Sequence, residues 1–484
     1  MARALTEGLL GLRGLLLARL LGPDSYGAWT LFRIAGRYGL FGGLGVTRGL
    51  ERELSQSRAA AGAAGPHDDL SARTALGFLL AVFSTLAAGA LAVSFRVADP
   101  AFAMGLRAFA ASALTEMLIL YTLTTIRARG ELRRFAKLEI MNAAVQLTCV
   151  GAGALARGLE GALAGFVLAS LFNAAVAARR VSLRPALARD RLGRLLRIGF
   201  PQALSVLLGM TLVTADKLAV AAFGGTSLLG YYAFATSIAG LAGSAALIVR
   251  TVVFPEVYGQ AVTRGQAAAL RTHLDRTVLP FTRLYPPLLG FLALGIGPLT
   301  ALALSQYLPA VPAARLYIFT GFTAGLITLS ALGVVAADRQ RLLPLVTGAG
   351  LLANAGLSVL ALTAGAGIEG AAAGAILSQA GCAASVLWLA LRAARSPRPT
   401  TEALRAILPL FWCAAAVYGL GELLPGNGAR DALLAAGAYA LLLLPWLPEM
   451  RAHARGLLAE PEAAPAVPAV PLPGEDLGTS VDVD

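Results

Sequence analysis

Long apolar runs separated by short polar or basic connections recur along the whole chain. A run of about 18 residues or more is long enough to cross a bilayer as a helix. Lipid offers the backbone N–H and C=O groups no partner, so a spanning run of this kind satisfies them within its own helix. The pattern predicts helices over residues 4 to 21, 27 to 49, 73 to 95, 101 to 126, 135 to 156, 159 to 181, 195 to 222, 230 to 253, 277 to 304, 312 to 336, 343 to 364, 367 to 391, 403 to 424 and 431 to 450. That is an all-α polytopic membrane protein of about 14 transmembrane helices.

The apolar pattern repeats. LARLLGPDSYGAWTLF from Leu17 and AVAAFGGTSLLGYYAF from Ala219 each run from an apolar helix through a glycine-containing turn into Gly-aromatic, at an offset of about 203 residues. GLEGALAGFVLAS from Gly158 and GIEGAAAGAILSQ from Gly367 match at an offset of 209. Two matches, at opposite ends of each half and in the same order, imply an internal duplication. The expected organisation is a six-helix lobe over 1–181, a basic linker over 182–194, a second six-helix lobe over 195–392, helices thirteen and fourteen within 403–450, and a tail over 451–484. That tail is rich in Pro and in Glu and Asp, cannot bury a core, and is expected to be disordered. In the repeat alignment Met1 falls near Leu204, so either the first helix begins abruptly or the start lies upstream.

Composition agrees with the class and the charges orient it. Charged residues make up only 14% of the 484, against 57% hydrophobic, and the net charge is +13. A nucleic-acid binder would cluster such charge on a solvent face, whereas here it falls between the apolar runs. Of the 40 Lys and Arg, 29 lie in one alternating set of connections and the termini, and only Arg96, Arg157 and Arg430 lie in the other set. The positive-inside rule then places both termini in the cytoplasm, for a multi-pass protein of the inner (plasma) membrane. Cys149, Cys382 and Cys413 fall inside spans and His67, His273 and His453 in loops, without metal-ligand spacing; no metal or cofactor is implied. No Gly-x-x-x-x-Gly-Lys-Ser/Thr loop is present to bind ATP.

Charges inside the runs are costly, roughly 2.5–3.5 kcal/mol each at mid-helix on insertion scales, and usually face protein or a wet cavity. Arg33 and Arg37, four residues apart, share a helix face. Asp216 and Lys217 are adjacent in the seventh helix, so they do not face each other and each needs a partner elsewhere. Arg19, Arg48, Arg107 and Arg315 lie near helix ends and read as snorkelling to headgroups.

RIGFPQALSVLLGMTLVTADKLAVAAFGGTSLLGYYAFA resembles the seventh-to-eighth helix signature of the polysaccharide-biosynthesis (Wzx-like) flippases of the multidrug/oligosaccharidyl-lipid/polysaccharide exporter superfamily. In that family a Gly-Phe/Ile-Pro opens the helix, an Asp-Lys/Arg pair ends it and Gly-Tyr starts the next. ARLLGPDSYGAW resembles the family's first-turn motif, Leu-Gly-Pro-Glu-x-Tyr/Phe-Gly. The resemblance covers roughly residues 1 to 392. The short amino terminus and helices thirteen and fourteen, which only some members have, depart from the pattern. Nothing in these motifs selects the related peptidoglycan-precursor flippases.

The resemblance implies two lobes around a cavity open to one membrane face at a time, exporting a polyprenyl-diphosphate-linked oligosaccharide or related lipid-linked glycan to the outer leaflet. Its implied partners are that anionic substrate, membrane lipids and glycan assembly proteins, with no nucleic acid. Expected cavity cations are Arg13, Arg33, Arg37, Lys217 and Arg283. Glu116 is a counter-ion for one of these or a cation-coupling carboxylate, and Asp216 is a charge partner. Pro201 is expected to bend helix seven, and Tyr285-Pro286-Pro287 to interrupt helix nine, as gates or as structural kinks. A drug/cation antiporter would want acidic groups in its cavity, and a glycan polymerase or ligase a large outer loop; in-span basic residues outnumber acidic ones, and the outer connections are short.

Overall fold

The computed structural model describes residues 2–61, 66–181, 183–264, 266–337, 339–424 and 426–458. The described residues are almost wholly helical, without a strand. The first half comprises α1 (Ala2–Gly39), α2 (Val46–Ala61), α3 (Pro66–Ser94), α4 (Pro100–Ala128) and α5 (Leu132–Ala178). The second half comprises α6 (Arg189–Leu212), α7 (Ala215–Arg264), α8 (Gln266–His273), α9 (Leu279–Ala303), α10 (Val311–Tyr317), α11 (Thr320–Ala336), α12 (Leu343–Thr363) and α13 (Gly367–Ala393). Beyond it lie α14 (Pro399–Leu423), α15 (Ala429–Leu442) and α16 (Leu447–Leu458). The acidic stretch from 459 lies outside the described residues.

Divided at the glycine breaks inside α1, α5 and α7, these helices account for every segment the apolar pattern predicts. Ten described helices are long and apolar enough to cross a membrane, eleven with the bent pair Ala429–Leu442 and Leu444–His453. α1 is not among them, because Glu7, Arg13, Arg19, Asp24, Arg33 and Arg37 interrupt its apolar surface. The helix that bears most of the charges of interest is thus one that fails the length-and-apolarity test for a span.

The breaks fall where the repeats align. Gly22 (φ 72°, ψ 169°) and Gly225 (φ 72°, ψ −171°) turn the chain identically, and Gly158 and Gly367 adopt φ 57° and 58° at the matching second offset. Positive φ carries a steric penalty for residues with a Cβ, so glycine is retained at these corners. The paired conformations are what a duplicated chain would show.

Close backbone approach joins the lobes at two places. At the turn seam, a Cβ added to Gly27 would collide with the Thr226 carbonyl, and one added to Gly230 with the Pro23 carbonyl. The Thr226 hydroxyl donates to the Asp24 carboxylate across it, and the hydroxyls of Tyr26 and Ser237 lie 3.2 Å apart. At the linker seam, Gly45 and Gly199 each face the other's carbonyl, and Gly49 faces that of Leu195. Small residues let membrane helices approach so that dispersion and weak polar contacts replace the hydrophobic drive that lipid does not supply.

Three expectations about helix limits are corrected. The second predicted helix does not stop at 49: a 3-10 turn at Leu40–Gly43, Leu44 (φ 47°) and Gly45 (φ 82°) break it, and α2 then runs to Ala61, through the expected loop. α2 is amphipathic, burying Val46, Leu50 and Leu54 against a cluster that includes Leu76 and Leu195, so hydropathy alone missed it. Helix seven starts at Arg189, inside the expected linker, and breaks at Val213 and Thr214 just before the Asp-Lys pair. Helix nine is not interrupted at Pro286 and Pro287; α9 runs through both, and the irregularity is a π-turn at Leu274–Val278.

Gly230→Leu is expected to destabilise the protein by about 1–3 kcal/mol, because the new side chain must push two backbones apart. The control is Gly89→Leu on α3, where an added Cβ meets nothing within 4 Å. Thermal unfolding in detergent should show a lowered midpoint for the first and little change for the second.

Candidate functional site

Between the two seams lies a cavity of about 290 Å³. α1 contributes Glu7, Arg13, Tyr26, Trp29, Arg33 and Arg37, and α7 contributes Lys217 and Ser237. Trp29, Arg33 and Arg37 follow one another at intervals of four, which stacks them along one helix face. Four of the five expected cations therefore meet in one place, with Glu7 the carboxylate among the lining residues.

Each cation is held differently. Arg13, 7% exposed, donates to the Gln146 side-chain oxygen on α5; Gln146 in turn donates to Asn142 at 3.1 Å, and Asn173 donates to the same Asn142 oxygen at 2.8 Å. This amide chain orients a buried guanidinium without neutralising it. The Arg33 guanidinium sits 4.6 Å from the centre of the Phe166 ring, within a cluster completed by Trp29 and Phe32. A cation over an aromatic face keeps its charge and its outward N–H donors. Arg37 is exposed to the groove. Among the described residues no carboxylate is in ion-pair contact with Arg13, Arg33, Arg37 or Lys217.

Glu116 shares a smaller cavity, about 40 Å³, with Arg33 and Arg37, and accepts the Ser170 hydroxyl at 2.5 Å. It is near the cations without bonding to them.

The Asp-Lys pair divides its labour. Asp216 is fully buried and turned away from the cavity: Oδ2 accepts the hydroxyls of Tyr232 and Tyr317, each at 2.7 Å, and Oδ1 accepts the Lys217 backbone N–H at 2.9 Å. It lies in the first turn of α7, where unpaired backbone N–H groups favour an anion. Asp216 thus ties α7 to α10 while Lys217, one residue on, lines the cavity. The break at Val213 and Thr214 is itself anchored, the Tyr38 hydroxyl of α1 lying 3.1 Å from that of Thr211 and 2.7 Å from that of Thr214.

Other expected site residues lie elsewhere. Arg283 does not line this cavity; its Nε is 3.5 Å from Glu449 of α16 and its guanidinium 5.7 Å from the Trp446 ring. Pro201 is inside α6, its carbonyl accepting the Ser205 hydroxyl at 3.0 Å, and Pro286 and Pro287 are buried in α9, where the Pro287 carbonyl accepts from Tyr439 at 3.4 Å. Arg107 is exposed with its guanidinium 5.4 Å from the Phe95 ring, as a snorkelling residue would be. Sequence reasoning missed Tyr26, Trp29 and Gln146. The helical spacing of Tyr26, Trp29, Arg33 and Arg37 was the available sign of the first two; the third required knowing that α5 packs on α1.

Two lobes of spanning helices around a membrane-depth cavity rich in cations define a polytopic membrane protein of transporter type. The chain belongs to the polysaccharide biosynthesis protein family, whose model matches residues 16–312. Its fold is similar to that of the lipid II flippase MurJ in an inward closed conformation (TM-score 0.70, 13% identity, 94% of this chain and 98% of that one). It is also similar to a multidrug resistance MATE family transporter of the MOP superfamily in an inward-facing conformation (0.57, 16%, 87% and 96%). A third likeness is to a MOP superfamily transporter from Pyrococcus furiosus whose binding pocket has reverse polarity (0.50, 14%, 86% and 94%). No curated protein matches the chain in sequence.

Tyr317→Phe removes one of the donors to a buried carboxylate and is expected to cost about 1.5–3 kcal/mol. Lys217→Ala, in the cavity wall, should cost no more than about 0.5 kcal/mol. Thermal unfolding of the two variants side by side separates the anchoring role of Asp216 from the cavity role of Lys217.

Proposed function

We propose that this protein is a flippase that carries a polyprenyl-diphosphate-linked oligosaccharide, or a related lipid-linked glycan, from the inner to the outer leaflet of the plasma membrane. The observation that carries the proposal is the convergence of Arg13, Arg33, Arg37 and Lys217 on one cavity, with no carboxylate among the described residues in ion-pair contact with any of them. The apolar tail of such a substrate stays in lipid, while its diphosphate cannot enter hydrocarbon unaided. Unneutralised guanidinium groups at membrane depth offer charge-assisted hydrogen bonds where surrounding polarity is low and those bonds are strongest. MurJ, whose fold this chain resembles, is named as a flippase for lipid II, itself a lipid-linked substrate. A cavity for cationic drugs would need the opposite charge balance.

Alternating access follows from the seams. Glycine contacts close the lobes at the turn end and at the linker end, and opening one at a time would expose the cavity to one side at a time. An interior-negative membrane favours outward movement of an anionic head by about 2.3 kcal/mol per charge per 100 mV. In this orientation both termini and the linker are cytoplasmic.

Replacing Arg33 and Arg37 together with Ala is expected to abolish export of lipid-linked glycan while membrane abundance stays normal; full export by that variant would sink the assignment. For orientation, Ser227→Cys should react with an impermeant thiol reagent from outside and Arg189→Cys should not, and the reverse labelling would invert the topology.

A further inference from the structure

A second cavity, about 310 Å³, adjoins the first at the linker end. Arg37 lines both. Its other walls are unlike each other: Arg48 of α2 and Arg127 of α4 stand on the first-lobe side, and Ala203, Val206 and Met210 of α6 on the second-lobe side. The cations all stand on the first-lobe side, among apolar residues such as Leu40, Phe41 and Leu120, and the second-lobe wall is apolar throughout.

The two guanidinium groups converge on a single oxygen. Arg48 Nη1 lies 3.5 Å and Arg127 Nη2 2.8 Å from Glu51 Oε2. One anionic oxygen bridged by guanidinium groups from two helices is the geometry a phosphate oxygen takes, but a carboxylate uses little of what they offer. Each guanidinium has five donors, and the buried Nε–H of Arg127 has no hydrogen-bond acceptor. The side chains of Arg48 and Arg127 are 43% and 39% exposed, so the bridge is screened and weakly held. A dianion with several oxygens would satisfy these donors better than Glu51 does.

We propose that Arg48 and Arg127 form a docking station for the diphosphate of the lipid-linked substrate, which Glu51 occupies as an internal stand-in until the substrate displaces it. Arg37 then links this station to the central cavity. The apolar wall around Val206 suits the first isoprene units next to the diphosphate, which a free inorganic anion lacks. This inference rests on the flippase reading and adds to it a site before the central one.

The test is a binding titration of the purified full-length protein in detergent. The probes are inorganic diphosphate, farnesyl diphosphate and phosphatidylglycerol in mixed micelles. Glu51→Gln is expected to tighten farnesyl diphosphate binding about fivefold, the factor that losing a weak competing ion pair yields. The Arg48→Gln, Arg127→Gln double variant should weaken it about tenfold or more. The same direction should appear in a background carrying Arg13→Gln and Arg33→Gln, where the central cavity is disabled. Should the double variant fail to fold, Arg127→Lys, which keeps the charge and loses the fork, is expected to weaken binding about threefold. Unchanged affinity in Glu51→Gln overturns the station. So does displacement of inorganic diphosphate by phosphatidylglycerol as readily as by farnesyl diphosphate, since the site would then be an ordinary headgroup contact. The flippase reading has its own readout here: it stands if the central variants lose diphosphate binding, whatever the station variants do, and falls if neither set loses it.

Discussion

A charged side chain inside a bilayer must be met by protein or water, and this one constraint organises the molecule. α1 carries seven charged residues over its length, so it can cross lipid only where its polar face is covered. The cover is α7 on one side and α5 on the other. α7 brings its own glycine turn against that of α1, and α5 presents the amide chain that holds Arg13. The lobes must therefore meet along the helix that bears the cations, and the cavity forms where the backbones separate between their two points of closest approach.

The same constraint explains what is absent from that cavity. An ion pair would hide the cations most simply, yet Arg13 is oriented by an amide and Arg33 by an aromatic face. Both devices stabilise a guanidinium without cancelling its field. Glu116, which shares a small neighbouring cavity with Arg33 and Arg37, is engaged by Ser170 instead. Removing a counter-ion from a buried charge costs energy unless another anion replaces it. The arrangement is therefore one whose stability improves when an anion arrives.

Much of the architecture was legible in the sequence because lipid makes hydropathy nearly equivalent to secondary structure. The repeat offsets located two pairs of corners: Gly22 and Gly225 share their backbone conformation, and Gly158 and Gly367 share a positive φ. What hydropathy missed was determined by packing. α2 is polar enough to read as a loop, and only its buried Val46, Leu50 and Leu54 reveal the helix. Pro286 and Pro287 look like a break in one dimension, but neighbouring helices pack around them and α9 continues. Arg283 has the right residue type and the right depth, and which way it points depends on Glu449 of α16 and on Trp446 in the turn before it, which receive it. Depth in the membrane can be read from the chain, whereas facing direction cannot.

The repeat also shows how duplicated lobes can come to differ. Arg13 and Asp216 occupy equivalent places, one cationic and one anionic, and the structure gives them opposite environments. Arg13 reaches the cavity, whereas Asp216 is drawn into the second lobe by two tyrosine hydroxyls. Had Asp216 faced the cavity, it would have neutralised Lys217 or Arg37. Burying it beside Tyr232 and Tyr317 removes an anion from the site and also fixes the start of α7. Three of the four cavity cations consequently lie on α1 and keep their mutual spacing in any movement of one lobe against the other. A change of access then has to come from the glycine seams, where the contacts are largely between backbones and Asp24, already exposed, gives up only the Thr226 hydroxyl.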